Sequence, residues 1–301
     1  MTARKLISFD WALKKLLRSK ANYEVLEGFL SELLKDDIEI LEILESESNR
    51  EHTHDKLNRV DLKVKNQKGE MVLIEVQYEW EFDFFQRILF GASKTIAEHM
   101  AKSDPYENVV KLISVNILYF DFGQGKDYIY HGQTRFVGTH YHDELLLSDK
   151  QQQYFGKQYP HEIYPEYYLL KVNQFDDVAR DTLDEWIYFL KNEEIKDGFR
   201  ARGLSRAKEV LDVMNLSEKE RIAYEWHIEE VRYQISMDRS RFLDGLFEGR
   251  NEGLNEGLAK GKAEGKAEGK RQFARMMKEN GEPLEKIVAY TQLTPEEIAD
   301  L

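Results

Sequence analysis

The chain contains no cysteine, which excludes disulfides, thiolate nucleophiles and zinc-thiolate centres and suits a reducing compartment. It also lacks any apolar run near the roughly 18–20 residues that a membrane span needs. Its N-terminus is charged and amphipathic, without the apolar centre of a signal peptide. A soluble, cytoplasmic protein with no membrane partner is therefore expected. Positive charge is in deficit: 43 Lys and Arg face 56 Asp and Glu, leaving a net charge of −13. Such a chain does not hold nucleic acid by global charge, so any contact with it requires a local basic patch or a metal ion. What is present is a core. With 301 residues, 42% hydrophobic and 12% aromatic, the chain has the length of about two domains and is not a disordered polymer.

Charge is unevenly placed along the chain. Residues 1–20 carry Arg4, Lys5, Lys14, Lys15, Arg18 and Lys20 against Asp10 alone, whereas residues 21–51 carry ten acids against Lys35 and Arg50. Phe9, Leu13, Leu16 and Leu17 recur at helical spacing, so Asp10 and Lys14 share another face of that helix. A second helix is expected over 22–35, with Asn22 as its N-cap. The period then changes to two. Residues 59–65 alternate, with Val60, Leu62 and Val64 on one face and Asp61 on the other; 66–69 form a turn, and 71–77 read as a more buried strand. A hairpin follows from that pair. An amphipathic helix over 83–101 buries Phe84, Ile88 and Ile96 and presents Arg87, Lys94 and Glu98, before Asp104-Pro105 breaks it. Strands are expected over 111–120, 128–137 and 167–172. Helical periodicity dominates from Asp176 onward, in 178–191, 205–215 and 217–240. The order reads α-β-β-β-α-β to about residue 140, then mainly helix.

The C-terminal part has its own pattern. Gly245, Gly249, Gly253, Gly257, Gly261, Gly265 and Gly269 recur every fourth residue. Each glycine in a helix costs about 1 kcal/mol relative to alanine, so a helix here needs a compensating contact. Two readings stand: a stalk for self-association, or a linker. Beyond it, 284–301 reads as helix, turn and helix, with Thr294, Pro295 and Glu297 supplying an N-cap, an N1 proline and a capping box. The expected divisions are 1–175 (core), 176–240 (helical subdomain), 241–281 (glycine-repeat stalk or linker) and 282–301 (a helix-turn-helix-like hairpin).

The chemistry concentrates in the hairpin. Glu75 and Gln77 point to one face because strand side chains alternate, and a sensible register brings Asp61 beside them. Two carboxylates with the Val76 carbonyl make an oxygen-rich half-shell of the kind Mg²⁺ or Mn²⁺ prefers. Arg87 and Lys94, two helical turns or about 10 Å apart, share a face suited to tracking a phosphate backbone. The histidine pairs His52/His54 and His140/His142 have no third ligand dictated by spacing, and read as loop histidines. Trp186, Tyr188 and Phe189 read as core.

Taken in order, Phe9-Asp10 with Lys14, Asn58-Arg59-Val60-Asp61, Ile74-Glu75-Val76-Gln77, Phe85-Gln86-Arg87 with Ser93-Lys94, Tyr119-Phe120-Asp121-Phe122-Gly123, Tyr130-His131-Gly132, the stretches 165–173 and 183–191, the glycine tail and the closing hairpin resemble the PD-(D/E)XK nuclease superfamily. The likeness is to its recombination-promoting nuclease (Rpn) or transposase branch, of PDDEXK-2 type, over essentially the whole chain. The resemblance implies an α/β, restriction-endonuclease-like αβββαβ core with a mainly helical C-terminal half and a long C-terminal helix. It implies a metal-dependent DNA endonuclease, with Asp61 and Glu75 as metal ligands and Gln77 where the superfamily lysine stands. Asp10 matches the first-helix acid. Glutamine supplies neither positive charge nor a base near neutral pH, which leaves Lys14, Arg87 and Lys94 as candidate phosphate-binding cations. A homodimer through the C-terminal helices is expected. The alternatives are a nuclease-fold binding module without hydrolysis, and an oligomeric scaffold.

Overall fold

The computed structural model of the chain describes residues 6–44, 61–100 and 103–301. Arg59, Val60, His52 and His54 lie outside the described residues. Two compact units divide at Ile235/Ser236. In the first, α1 (Phe9–Lys15) and α2 (Tyr23–Leu34) precede β1 (Ile40–Leu44), β2 (Leu62–Asn66) and β3 (Met71–Gln77). Then come α3 (Phe84–Glu98), β4 (Leu112–Leu118), β5 (Ile129–Gly132), α4 (Asp149–Phe155), β6 (Glu166–Lys171), α5 (Thr182–Asn192) and α6 (Leu204–Val210). Helix α7 (Glu218–Glu279) begins in the first unit and ends in the second, which also holds α8 (Leu284–Thr291) and α9 (Pro295–Ala299).

The strands form one mixed sheet in the order β1-β2-β3-β4-β6-β5. The β2–β3 hairpin is antiparallel, with Leu62 opposite Ile74 and Lys65 opposite Met71, as the alternation predicts. β3, β4 and β6 run parallel, and such strands are buried on both faces, which is why they read as continuous apolar runs. Val72, Ile74, Val76, Val115 and Ile117 pack into one cluster with Phe9, Phe29 and Trp186 from the helices beneath. Met71, Leu73 and Leu112 meet Ala92 and Ile96 of α3 on the other side. The mixed α/β restriction-endonuclease-like core is thus present, and α5 and α6 share its main cluster.

Two elements lay outside the sequence expectation. β1 is the first strand of the αβββαβ series and sits in the acidic stretch; a register shift between Ile40 and Glu42 disrupts its alternation. Helix α4 starts at a capping box formed by Ser148 and Gln151. β5 is shorter than the expected 128–137, and Val137 makes only an isolated bridge to Glu144. Trp186, Tyr188 and Phe189 are core, and His140 and His142 are exposed.

One buried ion pair anchors the parallel strands. Lys111 Nζ donates to Glu166 Oε1 and to the His161 carbonyl, both at 2.6 Å. Burial pushes the Glu166 carboxyl up, but Lys111 and then His131 outweigh it and hold it below its ordinary value of 4.5. Its stabilisation is therefore complete above that value and lost as pH falls through the lower folded one. Glu166→Gln leaves a buried ammonium without its anion, at a cost of about 3 kcal/mol at pH 7. Urea midpoints followed from pH 7 to pH 3 should converge with those of the parent. A gap that stays constant contradicts this account.

In the second unit, Ala274 and Met277 of α7 pack against Ile287, Leu293 and Ile298. The Thr294 capping box forms as expected, with the Glu297 N–H donating to Thr294 Oγ1 at 3.2 Å. The seven repeat glycines are helical, and a Cβ on any of them would meet nothing within 4 Å.

Candidate active site

The hairpin register extends by one residue to set Asp61 opposite Glu75 at the carboxyl end of β3. That is where open parallel sheets bind ligands. The Val76 N–H donates to Asp61 Oδ2 at 2.7 Å, which fixes the Asp61 carboxylate against the neighbouring strand. α1 adds Asp10 and Lys14, one helical turn apart: Lys14 Nζ lies 2.7 Å from Asp10 Oδ1 and 3.4 Å from Asp61 Oδ1. α3 adds Arg87, which pairs with Glu75 and Glu81 and donates to Gln77 Oε1 at 3.1 Å. The Gln77 amide in turn donates to Glu81 Oε1 at 3.0 Å. These groups line one cleft of about 580 Å³.

The cleft has a wall that the sequence did not reveal. His227, Glu230 and Gln234, on one face of α7, complete it. His227 Nε2 sits 3.0 Å from Asp10 Oδ2. No local pattern marks these residues, which lie far along the chain from Glu75; only the packing of α7 onto α1, as in the Trp11–Tyr224 contact, delivers them. Among the predicted phosphate-binding cations, Lys14 and Arg87 line the cleft and Lys94 does not; it pairs with Glu98 at 3.7 Å.

Six carboxylates line this space (Asp10, Asp61, Glu75, Glu79, Glu81 and Glu230) against Lys14 and Arg87. Burial and the neighbouring charges together set the acidity of these groups. Burial, joined by Asp10, pushes Asp61 above the ordinary carboxylate value despite Lys14 and the Val76 N–H. Asp10 is also buried, yet the His227 contact and Lys14 together hold it low. Burial and the neighbours Asp83 and Glu79 raise Glu81. Asp10 Oδ1 is buried and within ion-pair distance of Lys14, but no group meets it with hydrogen-bond geometry.

A buried, acid-rich cleft with an incompletely satisfied carboxylate oxygen and oxygen donors from two strands fits a hard divalent cation. Among the described residues, no three His, Asp or Glu side chains stand together as a ready cation cage. Lys14 and Arg87 stand beside the carboxylates of this cleft. A family model described as PD-(D/E)XK nuclease family transposase matches residues 7–240. The chain belongs to that family. The match spans both the hairpin carrying Asp61 and Glu75 and the α7 residues that wall the cleft, so a nuclease-like function attaches to this part of the molecule. No curated protein and no solved structure matches the chain.

Proposed function

We propose that the protein is a Mg²⁺-dependent DNA endonuclease, with Mn²⁺ as a substitute ion, and that the cleft at the end of β3 is its active site. The observation that carries this reading is the meeting of Asp61 and Glu75 on facing strand positions inside a cleft whose acids outnumber its cations. A phosphodiester entering such a cleft is repelled unless a cation accompanies it. Asp61, Glu75 and the Val76 carbonyl are the residues that would hold the ion. When bound, a divalent ion neutralises charge on the phosphate and lowers the pKa of a water.

The chain's own residues have separable tasks. Asp61 is held by the Val76 N–H, so its carboxylate meets an ion without reorganising. Gln77, tied to Glu81 and Arg87, orients a water or a phosphate oxygen through its amide. Arg87 is the strongest phosphate candidate, since a guanidinium grips a phosphate with two parallel hydrogen bonds. Lys14 adds a second positive charge on the opposite wall, and Asp10 holds Lys14 in place. Lys94 belongs to the outer course of a longer DNA, two turns along α3. Subunits pair through the C-terminal helices, where Leu246, Leu254 and Leu258 are exposed beside the glycines; two subunits would supply two cuts on a duplex.

A second reading, a binding module that does not hydrolyse DNA, is favoured by the pairing of Arg87 with Glu75 and by Gln77. Plasmid nicking decides between them. Supercoiled plasmid is expected to become nicked with Mg²⁺ or Mn²⁺ and to stay intact with excess chelator. Manganese binding without any nicking would favour the binding module and defeat the endonuclease reading.

A further inference from the structure

A second cavity, of about 500 Å³, lies on the α3 side of the sheet, beyond Phe84 and Ile88. Its volume is in the range of small-molecule sites. Phe85 and Ile88 of α3, Phe122, Tyr130 of β5, and Tyr167 and Leu169 of β6 line it. The Phe85 and Phe122 rings lie 4.6 Å apart at 45°, so this side of the wall is aromatic.

Gln124, His131 and Lys171 interrupt the apolar surface, and the His131 ring nitrogen is taken up by Glu166 at 3.0 Å. Lys171 follows Tyr167 and Leu169 at every second position of β6, so strand alternation sets its side chain on the cavity face. It is 2% exposed. The group its ammonium meets is the face of Tyr130, 5.7 Å from the ring centre. Among the described residues no carboxylate or carbonyl accepts a hydrogen bond from it. The same sheet deals with Lys111 quite differently: there a buried ammonium receives both the Glu166 carboxylate and the His161 carbonyl. No anion among the described residues stands beside this ammonium, and the cavity in front of Lys171 is large enough to admit one.

We propose that this cavity is a binding site for a small aromatic carboxylate, with its ring among Phe85, Phe122, Tyr130 and Tyr167 and its carboxylate on Lys171. The apolar walls select against a highly polar ligand, and the lone ammonium selects a monoanion over a neutral compound. The site is separate from the acidic cleft, and the inference stands whether or not that cleft cuts DNA. Helix α3 gives Arg87 to the cleft and Phe85 to the cavity, so a ligand here bears on the element that carries Arg87.

Calorimetric titration of the full chain with 2-naphthoate tests the site. One molecule per chain is expected to bind, and the uncharged naphthalene-2-carboxamide at least about tenfold more weakly. Lys171→Met should weaken naphthoate by about tenfold or more and leave the carboxamide unchanged. Leu89→Trp, at an exposed rim position, should block both compounds while leaving the circular dichroism spectrum intact, and so serves if the lysine variant does not fold. Equal affinity for acid and amide overturns the proposal. So does binding of naphthoate undiminished in both variants. Tight binding of thymidine 5′-monophosphate with none of naphthoate also overturns it, and would assign the cavity to an unstacked nucleotide.

Discussion

Asp61→Asn and Glu75→Gln should each lower Mg²⁺-dependent plasmid nicking by about 100-fold or more while the fold survives. The changes are nearly isosteric, and the structure explains why they are separable from stability. The side-chain amide introduced by Asp61→Asn keeps an oxygen that can accept from the Val76 N–H, so the bond that orients this position is retained. Burial raises the native Asp61 carboxyl, so loss of its charge relieves a cost and should leave the unfolding midpoint unchanged or higher. Glu75→Gln gives up an ion pair with Arg87, but Arg87 keeps Glu81 and Gln77 as partners. A stable protein that no longer nicks is therefore the expected result for both. Nicking at the parental rate by either variant removes the active site from this cleft.

The contrast between what was readable and what was not follows from range. The hairpin is local: its alternation fixes which side chains share a face, and an antiparallel turn of a few residues fixes the register. Asp61 beside Glu75 is therefore legible, as is the pairing of Asp10 with Lys14 at helical spacing. The sites that escaped reading depend on long loops or on disrupted periodicity. β1 carries a register shift within five residues, which blurs the period on which a strand is recognised. His227 reaches Asp10 from the far end of the first unit, a contact that no spacing rule describes. Lys171 looks like an ordinary charge at the end of a strand, and only the packed sheet shows that it faces a cavity and the Tyr130 ring rather than a carboxylate. The Ser148–Gln151 capping box is the opposite case, a purely local signal for the start of α4.

Gly28→Ala is expected to lower the stability of the first unit by about 2 kcal/mol or more, although alanine is the better helix former. On intrinsic preference alone the change should gain about 1 kcal/mol in the middle of α2. Packing reverses the sign. A Cβ at position 28 would stand 2.3 Å from the Arg202 carbonyl oxygen and 2.6 Å from the Gly203 Cα, both backbone atoms that no rotamer change can move. Gly203 cannot give way either: its φ of +80° already uses a conformation that side chains rarely adopt, and its own position faces the Glu24 carbonyl. The Arg202 carbonyl is further pinned by the Trp186 indole, whose N–H donates to it at 3.1 Å. Trp186 is fully buried against Phe9, Phe29 and Phe189, so pushing this loop outward disturbs the centre of the core. Overpacking of a close-packed interior costs about 1–3 kcal/mol and more where backbone must shift. All four tryptophans fall before Ile235, three of them outside α7, so urea unfolding followed by their fluorescence reads mainly the first unit. A midpoint equal to that of the parent would mean that α2 and the 202–203 turn are not in the close contact described.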